Sequence, residues 1–162
     1  MQVDVNSIER VILSHWHGDH SGGLLSLLRY RNKKANTSEG RPIAIDLHPD
    51  RPIARGIQPP AVGRVICRLP EEPTFDEIKA LGATPDLLAE PHVVAGNTVY
   101  VSGEIPRVTE FEQGLIGGMR WTPNSSHGGE WMAEQVSLRP PGKPMYQTNR
   151  LSISRIFSAY NG

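Results

Sequence analysis

The sequence predicts an α/β fold in which short strands and helices alternate along one domain. A β-branched apolar run at residues 11–13 precedes a polar loop, and leucines spaced three and four residues apart follow at residues 24–28. The apolar run is typical of a buried strand, whereas the leucine spacing places one apolar face on a helix. The first predicted elements are therefore a strand, a loop and a helix.

Two further apolar runs predict strands. Residues 43–45 form a short strand that leads into the polar segment 46–50. Residues 51–73 are rich in proline and glycine and are expected to be mostly loop, with one strand at 65–67. The polar stretch 32–41 is also expected to be a loop.

A helix and a hairpin are predicted farther along the chain. Thr74 and Glu77 match a capping box, so a short helix is expected to run from there to Gly82. Two apolar runs flank a Gly-Asn pair and predict a β-hairpin, with strands at residues 92–95 and 98–102.

Composition limits the number of domains and the kinds of partner. A chain of 162 residues that is 38% hydrophobic suits one domain, which we place at residues 1–136. Residues 137–162 are basic and contain prolines, and we expect a loosely ordered tail there. Because 17 Lys and Arg balance 17 Asp and Glu, no net charge favours nucleic acid or a membrane surface.

Cellular location is predicted from what the sequence does not contain. Cys67 is the only cysteine, which excludes intrachain disulfides and zinc sites built from cysteines. No basic segment followed by an apolar one, and no apolar run of about 20 residues, suggests export or membrane insertion. A cytoplasmic protein is expected, and its oligomeric state is left open.

Four potential metal ligands lie within six residues, directly after the first strand: His15, His17, Asp19 and His20. His15 and His17 alternate along an extended segment, so both rings point to the same side. Imidazole and carboxylate suit zinc, and also iron or manganese. Gly18 is expected to allow a bend between the two ligand pairs, and Gly22-Gly23 a close turn into the next helix. The segment predicts a site for one or two metal ions.

The segment resembles the metallo-β-lactamase superfamily, whose pattern is an apolar strand, Ser or Thr, His-x-His-x-Asp-His and a glycine-rich start to a helix. Residues 13–28, His48-Pro49 and the run Tyr-Val-Ser-Gly-Glu-Ile-Pro-Arg at 100–107 are similar to a branch of dihydropterin-ribofuranosylaminobenzene phosphate synthase-like proteins. The likeness covers roughly residues 5–120. It implies a partial αββα sandwich and a hydrolase, with a small ester or phosphoester substrate that is pterin- or phosphate-related.

The resemblance also implies roles for the ligands. His15 and His17 would hold one metal with a later histidine, and Asp19 and His20 would hold a second. The metals lower the pKa of a bound water, and the resulting hydroxide attacks the substrate. Asp19 would orient that water or accept its proton, which makes it the expected catalytic residue.

The chain departs from the family pattern at both ends, and we expect it to be truncated and catalytically impaired. Only ten residues precede Val11, where the superfamily places several strands. His127 is the candidate third ligand, but residues 121–124 before it do not read as a strand. His48 and Arg107 are candidates for substrate contacts, whereas His92 is expected to be structural.

Two other functions remain open. A facial triad of His17, Asp19 and a distant histidine would suit an iron oxygenase, although it leaves His15 and His20 unexplained. The second alternative is a truncated derivative that binds metal but does not turn over a substrate.

Overall fold

The computed structural model describes residues 4–34, 42–103, 115–124, 126 and 128–134, and the backbone of Ile156–Ser158. The helices there are α1 (Gly18–Ser21), α2 (Leu24–Lys34) and α3 (Phe75–Ala80), after a 3-10 turn at Val5–Ser7. The strands are β1 (Arg10–Ile12), β2 (Ile43–Leu47), β3 (Arg55–Ile57), β4 (Cys67–Arg68), β5 (Ala83–Leu87), β6 (His92–Val94), β7 (Val99–Val101), β8 (Gly118–Thr122), β9 (Glu130–Ala133) and β10 (Ile156–Ser158). The predicted mixed α/β fold is confirmed.

The chain divides into two compact units. The first comprises Met1–Arg51, Glu72–Ile105 and Ser152–Gly162, and the second comprises Pro52–Glu71 and Pro106–Leu151. The domain boundary predicted at residue 136 lies outside the described residues. So does the predicted tail, apart from β10.

The first unit is built on a parallel sheet of order β1-β2-β5. Residues from all three strands and from α2 and α3 form its apolar core. The members with the lowest exposure are Leu28, Ile43, Ile45, Leu47 and Ile78. The strand predicted at 43–45 is confirmed and runs to Leu47. Sequence reasoning missed β5, because Pro85 interrupts its pattern and is tolerated only because β5 is an edge strand in this sheet.

The helices of the first unit follow the predicted signals with one correction. Thr74 and Glu77 form the predicted capping box at α3, and the hydrogen bonds from Thr74 lower the pKa of Glu77. α2 does not end before Asn32 but continues to Lys34, where its basic last turn complements the helix dipole. None of the described helices has the length and apolarity needed to cross a membrane.

A second, antiparallel sheet in the first unit has the order β10-β7-β6. β6 and β7 are the predicted hairpin, with His92 opposite Val101 and Val94 opposite Val99. The turn between them places Ala95, Gly96 and Asn97 at positive φ, so it is longer than a two-residue Gly-Asn turn.

The second unit is an antiparallel sheet of order β4-β3-β8-β9. The strand predicted at 65–67 is shifted to Cys67–Arg68, and β3 arises within the stretch predicted to be mostly loop. The prediction that residues 121–124 contain no strand is wrong, because Trp121 and Thr122 belong to β8. Trp121 lies opposite Trp131 with the ring centroids 5.4 Å apart, and this cross-strand aromatic pair stabilises the end of the strand.

A buried ion pair joins β3 to the end of β9 in the second unit. The Arg55 guanidinium donates to both carboxylate oxygens of Glu134, at 2.6 and 2.8 Å, and the two side chains are 5% and 7% exposed. Such bidentate geometry compensates much of the cost of removing both charges from water.

Two carboxylates lie side by side in the parallel sheet of the first unit. Asp46 of β2 is directly opposite Asp86 of β5, an arrangement that is unfavourable for like charges. Arg10 donates to Asp86 at 2.7 Å and to Asp46 at 3.4 Å, and the Nε2 atom of His92 lies 2.8 Å from the same Asp46 oxygen. The sheet therefore holds an acidic pair between the guanidinium of Arg10 and the imidazole of His92.

His92 is structural, as expected, because both of its ring nitrogens have partners. Its Nδ1 atom lies 2.7 Å from the carbonyl oxygen of Glu90, and its Nε2 atom contacts Asp46. Burial lowers the pKa of His92, but the hydrogen bonds to Glu90 and Asp46 and the charge of Asp46 outweigh it, so the pKa lies above its ordinary value.

The raised pKa of His92 predicts a pH-dependent contribution to stability. The stabilisation is fully present below the ordinary value of 6.5 and is lost as the pH rises through the folded-state pKa. His92→Gln keeps a hydrogen-bond donor near the Nε2 position but removes the charge. Melting curves between about pH 6 and about pH 8.5 should therefore show a difference between wild type and variant that shrinks as the pH rises. A constant or growing difference would contradict the assignment.

The short connection between α1 and α2 depends on one of its two glycines. A Cβ atom on Gly22 would lie 2.5 Å from the carbonyl oxygen of Gly18. A Cβ atom on Gly23 would have no neighbour within 4 Å. The close turn predicted at Gly22-Gly23 is thus a requirement at Gly22 alone. The chain turns into α1 at Gly18, but Gly18 has no positive φ and a Cβ atom there would have no neighbour within 4 Å, so this turn does not require a glycine.

These neighbouring glycines provide a matched pair of variants. Gly22→Ala should lower the free energy of unfolding by about 1–3 kcal/mol, because the new methyl group overlaps a backbone carbonyl. Gly23→Ala should change it by less than about 1 kcal/mol, since space is available. Urea unfolding of both variants measures the contrast, and equal losses would show that the close approach at Gly22 has no energetic weight.

Candidate metal centre

The histidine segment leaves the parallel sheet at a defined point. The pairing of β1 with β2 extends one residue beyond the strand, where the amide of Leu13 donates to the carbonyl oxygen of Asp46 at 3.0 Å. Leu13 and Trp16 are buried in the core. The residues between and after them, Ser14, His15 and His17, are only partly buried. The core thus holds two residues of the segment and leaves the polar ones near the surface.

Trp16 anchors the histidine segment to the apolar core. Its ring packs edge-on against Phe75 at 5.9 Å, and its Nε1 atom donates to the carbonyl oxygen of His48 at 2.8 Å. The indole is 6% exposed, which indicates that Trp16 packs in the core and does not stack on a substrate.

The one-turn helix α1 folds the second half of the motif back over the first. The carbonyl oxygen of His17 accepts from the amides of His20 and Ser21, both at 2.8 Å. His17 is the N-cap residue, but its imidazole does not cap the helix. The turn therefore uses the backbone of His17 and brings His20 back toward Ser14.

Ser21 fixes the end of this turn. Its side chain is fully buried and its hydroxyl donates to the carboxylate of Glu72, which is also buried. Arg51 in turn donates to the carbonyl oxygens of Glu72 and Pro73. A network inside the protein therefore holds α1 from the side opposite the solvent, and sequence reasoning did not identify it.

The structure brings the three imidazoles of the motif together. The ring centroid of His15 lies 4.6 Å from that of His17 and 4.0 Å from that of His20. The Ser14 hydroxyl lies 3.1 Å from Nδ1 of His15 and 3.0 Å from Nδ1 of His20. Ser14 thus contacts two of the three imidazoles, an arrangement that its place in the sequence motif did not reveal.

The fourth predicted ligand, Asp19, faces solvent. Its side chain is 80% exposed, and one carboxylate oxygen lies 3.6 Å from Nε2 of His20. Asp19 lies in the first turn of α1, where a negative charge interacts favourably with the helix dipole.

The donor chemistry fits a divalent transition metal, since neutral imidazole and carboxylate are ligands that zinc prefers. The described parts of the chain nevertheless contain no group of three or more His, Cys, Asp or Glu side chains with the geometry of a metal site. The structure therefore places the donors in one cluster without forming a complete coordination shell among these residues.

The remaining predicted site residues are placed differently. His48 follows β2 and is 9% exposed, and its Nδ1 atom accepts from the amide of Asp50 at 3.1 Å. With its carbonyl bound to Trp16, His48 is a turn residue, and a substrate contact there stays a prediction. Arg107 and His127 lie outside the described residues. His127 was expected to lack a preceding strand, which argued against it as a ligand. Because β8 precedes it, that argument no longer holds.

The comparisons with known proteins agree with the motif. The family model described as metallo-beta-lactamase superfamily matches residues 1–129. No curated protein and no solved structure matches the chain. The match covers most of the chain and includes the strand, the histidine segment and the helix that follows. The chain belongs to the metallo-β-lactamase superfamily.

Proposed function

We propose that this protein is a metal-dependent hydrolase, with zinc the first metal to test, and that His15, His17, Asp19 and His20 bind the metal. The cluster of three imidazoles, two of which contact Ser14, is the observation that carries the proposal. Family membership supports it, because metal-dependent hydrolysis is what the superfamily resemblance implies. The proposed substrate is a small ester or phosphoester.

The exposed carboxylate of Asp19 suits it for the proton-transfer role. It is accessible to water and to a substrate arriving from solvent, and it adjoins Nε2 of His20. A metal bound beside it supplies a water of lowered pKa and Lewis acidity at neutral pH. Asp19 would orient the attacking water or take its proton, whereas His15 and His17 would only hold the ion.

One observation favours a second function, metal binding without appreciable turnover. The described residues do not complete a three-donor site, so the ion would be held weakly unless a further ligand such as His127 contributes. The iron oxygenase is less well supported, because its triad uses neither His15 nor His20, and both lie in the cluster.

Zinc binding should depend on the histidine cluster. We expect the full chain to bind zinc in roughly the micromolar range, and the double variant His15→Ala/His17→Ala to lose at least about tenfold in affinity. Calorimetric titration measures both. The matched control is His92→Ala, which removes a histidine outside the cluster and should leave the affinity unchanged. Equal zinc affinity in wild type and double variant would exclude this site.

Hydrolysis should depend on Asp19. With zinc bound, we expect turnover of 4-nitrophenyl acetate or bis(4-nitrophenyl) phosphate, and a loss of about 100-fold or more in kcat for Asp19→Ala. Asp76→Ala is the matched control, because Asp76 also lies in the first turn of a helix and its side chain is 96% exposed. Zinc binding without turnover in the wild type would favour the second function, and equal rates in the two variants would refute the role of Asp19.

A further inference from the structure

We propose that Ser14 is a positioning residue that orients His15 and His20 together, by accepting a hydrogen bond from Nδ1 of each ring. The inference rests on the proposed metal binding by the cluster. It adds a residue that is not itself a ligand and specifies which ring nitrogens face the ion.

The two contacts of Ser14 are nearly equal in length. Its hydroxyl oxygen lies 3.1 Å from Nδ1 of His15 and 3.0 Å from Nδ1 of His20, both within hydrogen-bond range. A serine hydroxyl has one proton and two acceptor lone pairs. It can therefore donate to one ring and accept from the other, or accept from both.

These two arrangements differ in what they leave for a metal. If the hydroxyl donates to one ring, that neutral ring carries its own proton on Nε2 and offers no lone pair there. If it accepts from both rings, both neutral rings carry their protons on Nδ1, and neither Nε2 atom carries a proton. Only the second arrangement makes both rings ligands through Nε2 at once. Metal binding therefore selects it, and the serine proton turns away from the rings.

The position of Asp19 agrees with this assignment. Its carboxylate lies 3.6 Å from Nε2 of His20, the nitrogen that the contact with Ser14 leaves available. A hydrogen bond that fixes Nδ1 of His20 therefore keeps its Nε2 atom beside the Asp19 carboxylate, the other proposed ligand in α1. Histidine ligands in proteins are generally held through the other ring nitrogen, and losing such a contact typically lowers metal affinity by about 10- to 100-fold.

The backbone explains why this position can reach both rings. Ser14 comes directly after the last residue that extends the β1–β2 pairing, and His20 returns to it through the single turn of α1. One short side chain between the two rings can therefore contact His15, its chain neighbour, and His20, six residues away.

The test compares two variants of the same shape. Ser14→Thr keeps the hydroxyl and Ser14→Val replaces it with a methyl group, so their zinc affinities differ only through the hydrogen bonds. We expect Ser14→Thr to bind zinc within a few-fold of wild type and Ser14→Val to bind about 10- to 100-fold more weakly. Ser26→Ala, an exposed serine on α2, is the control for losing a hydroxyl elsewhere. Equal affinities for the threonine and valine variants would overturn the proposal.

A second readout reports the ring nitrogens directly. Long-range proton–nitrogen spectra of the zinc-loaded wild type should show His15 and His20 protonated on Nδ1 and metal-bound through Nε2. Zinc bound through Nδ1 of either ring would overturn the role of Ser14 even if hydrolysis is intact. If the wild type binds no zinc at all, the proposed function fails first, so the two failures are distinguishable.

Discussion

The parallel pairing of β1 with β2 determines where the histidine segment emerges from the first unit. The pairing continues through Leu13, whose amide donates to Asp46, and the next residue is Ser14. Trp16 then enters the core and is held by the carbonyl of His48. Burying Leu13 and Trp16 in the core leaves Ser14, His15 and His17 only partly buried, near the surface. The position of the histidine segment is therefore a consequence of how this strand end is packed.

The same strand end supports a network of charges in the sheet. Asp46 contributes its carbonyl to the emerging segment and its carboxylate to Arg10 and His92. Arg10 also binds Asp86, which relieves the repulsion between the two aspartates. One residue of β2 thus connects the backbone that positions the site to the side chains that hold three strands and the hairpin together.

Local patterns predicted the parts of the fold that depend on neighbouring residues. The strand at Ile43, the capping box at Thr74 and the hairpin at His92 follow from short-range periodicity and turn chemistry, and they are present. Pattern failed where tertiary contacts outweigh propensity. β8 forms through the pairing of Trp121 with Trp131, and β5 contains Pro85 at a sheet edge, so neither has a clear local signal.

For the candidate site, too, the sequence predicted the local features but not the contacts that depend on the fold. The spacing of His15, His17 and His20 indicated that the imidazoles would converge, and they lie in ring contact. Two contacts could not be predicted from the sequence. The contact of Ser14 with His20 forms only because the one-turn helix α1 brings His20 back, and the contact of Ser21 with Glu72 joins residues 51 positions apart. Four residues are too short a helix for hydrophobic periodicity to reveal.

X-ray absorption at the zinc edge tests most directly whether the histidine cluster is the metal centre. For the zinc-loaded chain, binding at the histidine cluster predicts nitrogen and oxygen neighbours at about 2.0–2.1 Å, with outer-shell scattering from at least two imidazole rings. Cys67 is exposed and offers a competing ligand. A sulfur neighbour at about 2.3 Å, or a shell without imidazole scattering, would show that zinc binds elsewhere.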